Sequence, residues 1–515
     1  LQAGTGAVAR TSQSKMRDVV SVSDFGVNTT PGTTDMTTIV QTALTALNGL
    51  GKTLTFPDSA YKLASSISLN NYSNITLDFG SSTITYTSGA GVYAFDATQA
   101  GNITFIGGLH VGTSNLNHFI KTAGSAAAQA TSYPTIPVEA QWSRQLRFRD
   151  LKITTFAMAF DLQNFTREVW ITDSYITDNV TGIKQTGKVV GLNGKGTEIY
   201  STIAASQCVV ARADLNDTAS ATAWRYPEGT QFTDCLAQSV GVSIDIKAGF
   251  VFRWTGQQVY STTLGTAGVA ITNTAGTGSN AAAFFVTKDI LIDTLFNSGV
   301  TIIPATAVQH TFLALFRGQW SGIQGTSCAI GAYSVGVSVE GQFDSGTGTV
   351  VGCSVGATCN LVMFKPDSLD STYTTPFTCD STSLTGTKAY FGAAWTPSVA
   401  FGGASVGVTG TFAGAYQWNG RFIIGTFLIA LSSKGSSTGA ATITGLPFTS
   451  SSIGAVTVSK YSAFNAAFYP LLEVNSAATT ITVKSAGGGS ESAAWDDTFF
   501  SNTTVINGSF MYPVS

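Results

Sequence analysis

Between residues 35 and 48 the apolar positions recur with helical spacing: Met36, Ile39, Val40, Ala43, Leu44 and Leu47 fall at i, i+3, i+4, i+7, i+8 and i+11. The pattern predicts one amphipathic helix, with Asp35 or Thr34 able to cap its start and Gly49 or Gly51 its end. After it the period changes to two and stays there. Leu54/Phe56, Ile67/Leu69, Ile75/Leu77/Phe79, Ile103/Phe105, Val169/Ile171, Val242/Ile244/Ile246 and Ile290/Ile292 alternate with polar residues and are separated by Gly, Asn, Ser and Thr clusters. These are short strands between tight turns.

Two of the strands are near copies. Asn74-Ile75-Thr76-Leu77-Asp78-Phe79 is followed 28 residues later by Asn102-Ile103-Thr104-Phe105-Ile106-Gly107. A period of roughly 20 to 30 residues built from short strands predicts a solenoid whose coils stack into parallel sheets. A β-sandwich or propeller also gives short strands with Gly-rich turns. The early helix cannot recur in every blade of a propeller, but it can cover the open first coil of a solenoid. From about residue 405 the alternating runs lengthen, as in Phe422–Leu431 and Thr479–Val483, and resemble antiparallel strands of a separate sandwich. The tract Ala486-Gly487-Gly488-Gly489-Ser490 reads as a loop.

Charged residues are only 11% of the chain and apolar residues 43%, so a large core is covered mainly by hydroxyls and amides. A formal charge of -3 gives no electrostatic footprint for nucleic acid. Neutral, hydrated surfaces suit a hydrated partner such as a glycan. No long apolar window suggests membrane insertion, and the N-terminus lacks the basic-then-apolar order of a secretory signal. Cys208, Cys235, Cys328, Cys353, Cys359 and Cys379 form no CxxC pair, and His110, His118 and His310 lie far from them, so no metal or other cofactor is expected. The cysteines read as small buried hydrophobes, with Cys353 and Cys359 the nearest pair for a disulfide.

The opening Gly6-Ala7-Val8-Ala9-Arg10-Thr11-Ser12-Gln13-Ser14-Lys15-Met16-Arg17-Asp18-Val19-Val20-Ser21-Val22-Ser23-Asp24-Phe25-Gly26 resembles the start of the β-helix in bacteriophage tailspikes. In that family the phrase leads into a capping helix and then a strand ending in Phe-Pro and a Tyr, as in Leu54-Thr55-Phe56-Pro57 and Tyr61. The usual acidic, Gly-rich turn before the helix is replaced here by Asn28-Thr29-Thr30-Pro31-Gly32-Thr33-Thr34. Leu428 to Gly439 with Ile443 to Phe448 is similar to the C-terminal sandwich of tail fibres and tailspikes, and Tyr226-Pro227-Glu228-Gly229 running into Phe232-Thr233-Asp234-Cys235 is similar to a mid-helix phrase of polysaccharide-degrading tailspikes.

The resemblance implies an all-β chain: a neck remnant at 1–17, a right-handed parallel β-helix with a capping helix over 18–404, and an antiparallel sandwich at 405–515 that supports trimerisation and can bind carbohydrate. It also implies a homotrimer in the virion tail, made in the host cytoplasm and acting at the host surface on capsular polysaccharide or lipopolysaccharide. A segment preceding this chain would join it to other tail or baseplate proteins.

Glycosidic hydrolysis needs a protonated and an ionised carboxyl group about the scissile bond. The richest segment holds Asp214, Asp217, Glu228, Asp234 and Asp245, interleaved with Arg212, Trp224, Arg225 and Tyr226. Aromatic faces stack on sugar rings, and Arg holds acidic sugars. Glu228, just before a predicted strand, is the first candidate for the acid, against a turn-shaping role. Asp245, alternating with inward Ile244 and Ile246, should face outward and competes with a solvated strand face. Asp214 and Asp217 sit in a polar loop and also read as turn residues.

Asp173 with Asp178, and Glu340 with Asp344, are weaker acidic pairs. Trp224 and Trp254 could be sugar platforms or buried stacking residues, and the histidines read as structural. The sequence therefore predicts an endo-acting hydrolase. The alternatives are a lyase, using Arg212, Arg225, Lys247 or Arg253 to neutralise a uronate, and a non-catalytic receptor-binding spike.

Overall fold

The computed structural model describes residues 19–130, 137–212, 227–247, 249–255, 258–260, 265–273, 282–293, 296–304, 311–321, 323–344, 351–370, 372–373, 375–380, 382–383, 387–465, 469–486 and 493–514. The chain divides into two compact units, the first holding residues 1–356 and 367–378, the second 357–366 and 379–515.

The first unit is a parallel β-solenoid. Each central coil carries three strands, for example Thr166–Thr172, Tyr175–Thr177 and Thr181–Thr186. Each strand pairs in parallel with its counterpart one coil on, at Val189–Lys195, Glu198–Tyr200 and Gln207–Arg212. The three positions are called the first, second and third sheets below. The third sheet runs through twelve strands from Ile67–Ser68 to Thr375–Cys379 among the described residues.

The interior is a ladder of like on like. Phe56, Phe79, Phe105 and Phe148 follow one another coil by coil, with ring centroids 4.4, 6.3 and 5.0 Å apart. Phe232 and Trp254 continue the stack farther along at 5.0 Å. The predicted helix forms at Thr37–Leu47 and buries Val40, Ala43, Leu44 and Leu47. The N-cap position is Met36, which makes no side-chain cap; Asp35, one residue earlier, accepts from Thr37 N at 3.0 Å, and Gly49, just past the helix, has a φ of +78°.

The repeated Asn-Ile-Thr phrase has a structural cause. Asn74 and Asn102 fall between the paired positions Ser73↔Gly101 and Ile75↔Ile103, both adopt left-handed backbone, and Asn102 Nδ2 donates to Asn74 Oδ1 at 2.8 Å. The same column continues through Gln145, Glu168, Gly191, Gly229 and Val251, every one with φ between 53° and 73°. This left-handed residue breaks the alternation once per coil and resets which side chains of the first sheet point inward.

In the second unit the strands become antiparallel. Thr387–Trp395, Val408–Gly420, Phe422–Lys434, Phe500–Pro513 and Gly454–Phe464 pair in that order, while Ser398–Phe401, Ala441–Thr444, Thr480–Ala486 and Tyr469–Val474 form a second set. Trp418, Ile423, Phe427, Ile506, Phe510 and Tyr512 from the first set, with Ile443, Leu472, Ile481 and Val483 from the second, are all buried. The mixed sheet is sandwich-like. All six cysteines are free thiols, five of them buried.

Candidate active site

Glu228 opens the first-sheet strand Glu228–Thr233, one residue before left-handed Gly229. Its Oε1 accepts a short hydrogen bond from Lys188 Nζ, and both side chains are half-buried. The Lys188 ammonium therefore occupies one of the two oxygens that an acid would present to a glycosidic bond.

Asp245 lies on the third-sheet strand Val242–Ile246 between buried Ile244 and Ile246, so it points away from the core as the alternation predicts. A solvated strand face is not what surrounds it: Asp245 is only 5% exposed. It accepts from Gln207 Nε2 at 2.7 Å and pairs with Lys247 Nζ at 3.4 Å. Arg212 ends the neighbouring strand, donating from Nε to Thr186 Oγ1 at 3.3 Å. Asp245 is registered on Val210 of that strand, so Arg212 and Asp245 share one sheet face, whereas Glu228 belongs to the first sheet.

Trp254 is not a sugar platform. It has no exposed surface and packs inside the solenoid on Phe232, because left-handed Val251 sets Phe252 and Trp254 inward and leaves Arg253 outside. Asp173 and Asp178 both sit in left-handed turn positions, where Asp178 accepts from Thr202 Oγ1. Glu340 accepts from Ser338 and Asp344 from Gln319. Asp214, Asp217, Trp224, Arg225, Tyr226 and His310 lie outside the described residues.

The third sheet holds more than the sequence reading found there. Its outward row runs Asp96, Lys121, Asp161, Lys184, Val210, Asp245 on six consecutive strands. Asp161 is 2% exposed and accepts from Tyr93 Oη at 2.6 Å and Gln163 Nε2 at 2.8 Å. Burial pulls the Lys184 ammonium below its ordinary pKa, with Arg212 adding to the effect and Asp161 opposing it. Burial likewise lowers His118, against the opposing charge of Asp161. Perturbed groups gathered on one face mark it as a candidate site. A signal was present in the sequence: Ala94-Phe95-Asp96 and Ala159-Phe160-Asp161 are identical triplets two strands apart in one register. On the first sheet, Arg147 stacks over Trp170 at 4.8 Å beside a cavity of about 430 Å³.

No family model matches the chain, and no curated protein matches it. Among solved structures, the Dettilon tailspike protein is similar over 98% of this chain and 95% of its own, at 12% identity and a TM-score of 0.55. The chain has the β-solenoid fold of a phage tailspike. Tailspike protein 3 of bacteriophage CBA120 is similar over 75% of this chain and 64% of its own, at 15% identity and a TM-score of 0.44. The tailspike of E. coli bacteriophage HK620, solved in complex with a pentasaccharide, is similar over 99% and 96%, at 10% identity and a TM-score of 0.43. No helix among the described residues is long and apolar enough to cross a membrane.

Proposed function

We propose that this chain is a tailspike that binds and depolymerises a bacterial surface polysaccharide, capsule or lipopolysaccharide O-antigen, by endo-acting hydrolysis. The observation that carries the reading is the third-sheet row, which sets carboxylates and ammonium groups along one outward face of the solenoid. A polymer laid along the stacking axis would run past a charged group on five of these six strands, Val210 being the exception. Hydrolysis then needs one carboxyl group to protonate the glycosidic oxygen as the C–O bond breaks, and one carboxylate to take a proton from the attacking water or to attack directly. Asp245 on the third-sheet row and Glu228 on the first sheet, where Lys188 would have to leave its Oε1, are assigned these roles, with Asp214 and Asp217 as alternates, and Arg212, Arg225, Tyr226 and Trp224 are assigned to hold the sugar.

A second reading is β-elimination, in which Arg212, Arg225, Lys247 or Arg253 would neutralise a uronate carboxyl group.

The sandwich unit presents Phe422, Ile424 and Met511 at 44%, 42% and 46% exposure. This apolar face supports a homotrimer, the state in which a tailspike would sit on the virion and act at the host surface. Incubation with capsule and lipopolysaccharide from a panel of bacteria tests the function. Shortened chains without new ultraviolet absorbance mark a hydrolase, shortened chains with the absorbance of an unsaturated uronate mark a lyase, and unshortened bound chains mark a receptor-binding spike.

A further inference from the structure

We infer that Asp161 forms a distal sugar-binding subsite, three strands from Asp245 on the third sheet; this rests on the proposed polysaccharide function. Strand spacing puts the two carboxylates about 14 Å apart along the stack. Asp161 alternates with Phe160 and Leu162, both fully buried in the core, and so faces outward. Its Oδ2 takes both hydrogen bonds offered to the group, from Tyr93 and Gln163. Oδ1 is buried with no donor, and so is Nδ1 of His118 with no partner. A desolvated carboxylate oxygen without a donor is costly, and a native chain meets that cost with water or a ligand.

The surroundings suit a sugar ring. The His118 ring stands edge-on to Tyr93, with centroids 4.8 Å apart, and Lys121 Nζ lies 5.9 Å from the centre of the Tyr93 ring. Aromatic surface suits the C–H face of a sugar. A sugar hydroxyl supplies the donor that Asp161 Oδ1 lacks, and a second hydroxyl meets His118 Nδ1 as donor or acceptor. Tyr93, His118, Gln163 and Lys184, all partly exposed, surround the carboxylate. One strand beyond Lys121, Asp96 borders a polar cavity of about 500 Å³ lined also by Asn70, Asn71, Gln99 and Gln129, which prolongs the same line of hydrogen-bonding groups. A sugar held at Asp161 is remote from the scissile bond at Asp245. It binds the ground state and the transition state alike, so it sets affinity and product length rather than the rate of the chemical step.

The test measures KM, kcat and product size on a polysaccharide that the parent degrades, using Asp161→Asn and, as a variant that keeps its ring, His118→Phe. A hydrogen bond to a charged group corresponds to about a ten-fold to hundred-fold change in binding. Asp161→Asn is expected to raise KM by about that factor with kcat within about two-fold, and to spread the product lengths, with His118→Phe shifting KM in the same direction. Unchanged KM and product size in both variants would mean that water alone satisfies Asp161, overturning the inference. A parent that binds polysaccharide without cutting it overturns the hydrolase reading only. The subsite is then judged on affinity, where a loss of about ten-fold or more in Asp161→Asn supports it and parent-like affinity overturns it. A parent that binds no polysaccharide overturns both.

Discussion

Tyr86 Oη and His110 Nδ1 lie 2.9 Å apart inside the solenoid, each with no solvent exposure. His110 Nε2 is 3.1 Å from the Gly107 carbonyl, so Nε2 donates there and Nδ1 accepts from the tyrosine, which fixes a neutral tautomer. Burial lowers the histidine from 6.5 to about 4, with the Gly107 bond opposing the shift. The unfolded chain therefore takes up a proton that the folded chain refuses. Stability from this group is fully present above pH 6.5, is lost as the pH falls from 6.5 toward 4, and changes little below that. The shift corresponds to about 3 kcal/mol. Unfolding followed across this window should show the loss in the parent and a smaller loss in His110→Phe.

Gly194 lies in register with Phe232 one coil on, and a Cβ at Gly194 would stand 2.3 Å from Phe232 Cδ1. The Phe232 ring fills the space that a side chain at this position would occupy. Gly194→Ala should destabilise the chain by about 1–3 kcal/mol, the usual cost of overpacking a filled core. Thermal or denaturant unfolding of the variant checks this, and Gly403→Ala, where a Cβ meets nothing within 4 Å and φ is +85°, shows the cost of backbone conformation alone.

Trp254 separates a core role from a ligand role. Its indole is buried against Phe232, so Trp254→Ala should cost about 3–5 kcal/mol in stability. Trp254→Phe, which keeps an aromatic ring in the stack, should leave polysaccharide affinity at the parental value. A loss of affinity in a fully folded Trp254→Phe chain would restore the platform role.

The solenoid was legible because its signals are local. The Asn74 and Asn102 phrases are near copies because both occupy one left-handed column, and the helical spacing of Met36 to Leu47 stands alone before a chain of period two. The site was harder to read. Asp245 faces outward as its alternation with Ile244 and Ile246 predicts, but its hydrogen-bond donor comes from another coil: Gln207 is 38 residues away. Glu228 gave no hint of Lys188, 40 residues earlier, for the same reason. For Trp254 the sequence left platform and buried stacking both open, because one left-handed residue, Val251, resets the alternation, and a β-branched residue does not announce that backbone. Asp161 was within reach through the doubled Ala-Phe-Asp triplet, whose alignment becomes plain only when coil register is known.

The most direct test of the central claim is the size distribution of capsule or lipopolysaccharide O-antigen after incubation with the parent chain, Glu228→Gln and Asp245→Asn. The account predicts that the parent shortens the polymer of a susceptible strain without generating ultraviolet-absorbing ends. Each variant should remain folded, bind, and cut slower by about a hundred-fold or more, as expected when a group acting in proton transfer is removed. Parent-like shortening by both variants, or binding by the parent with no shortening at all, would contradict it.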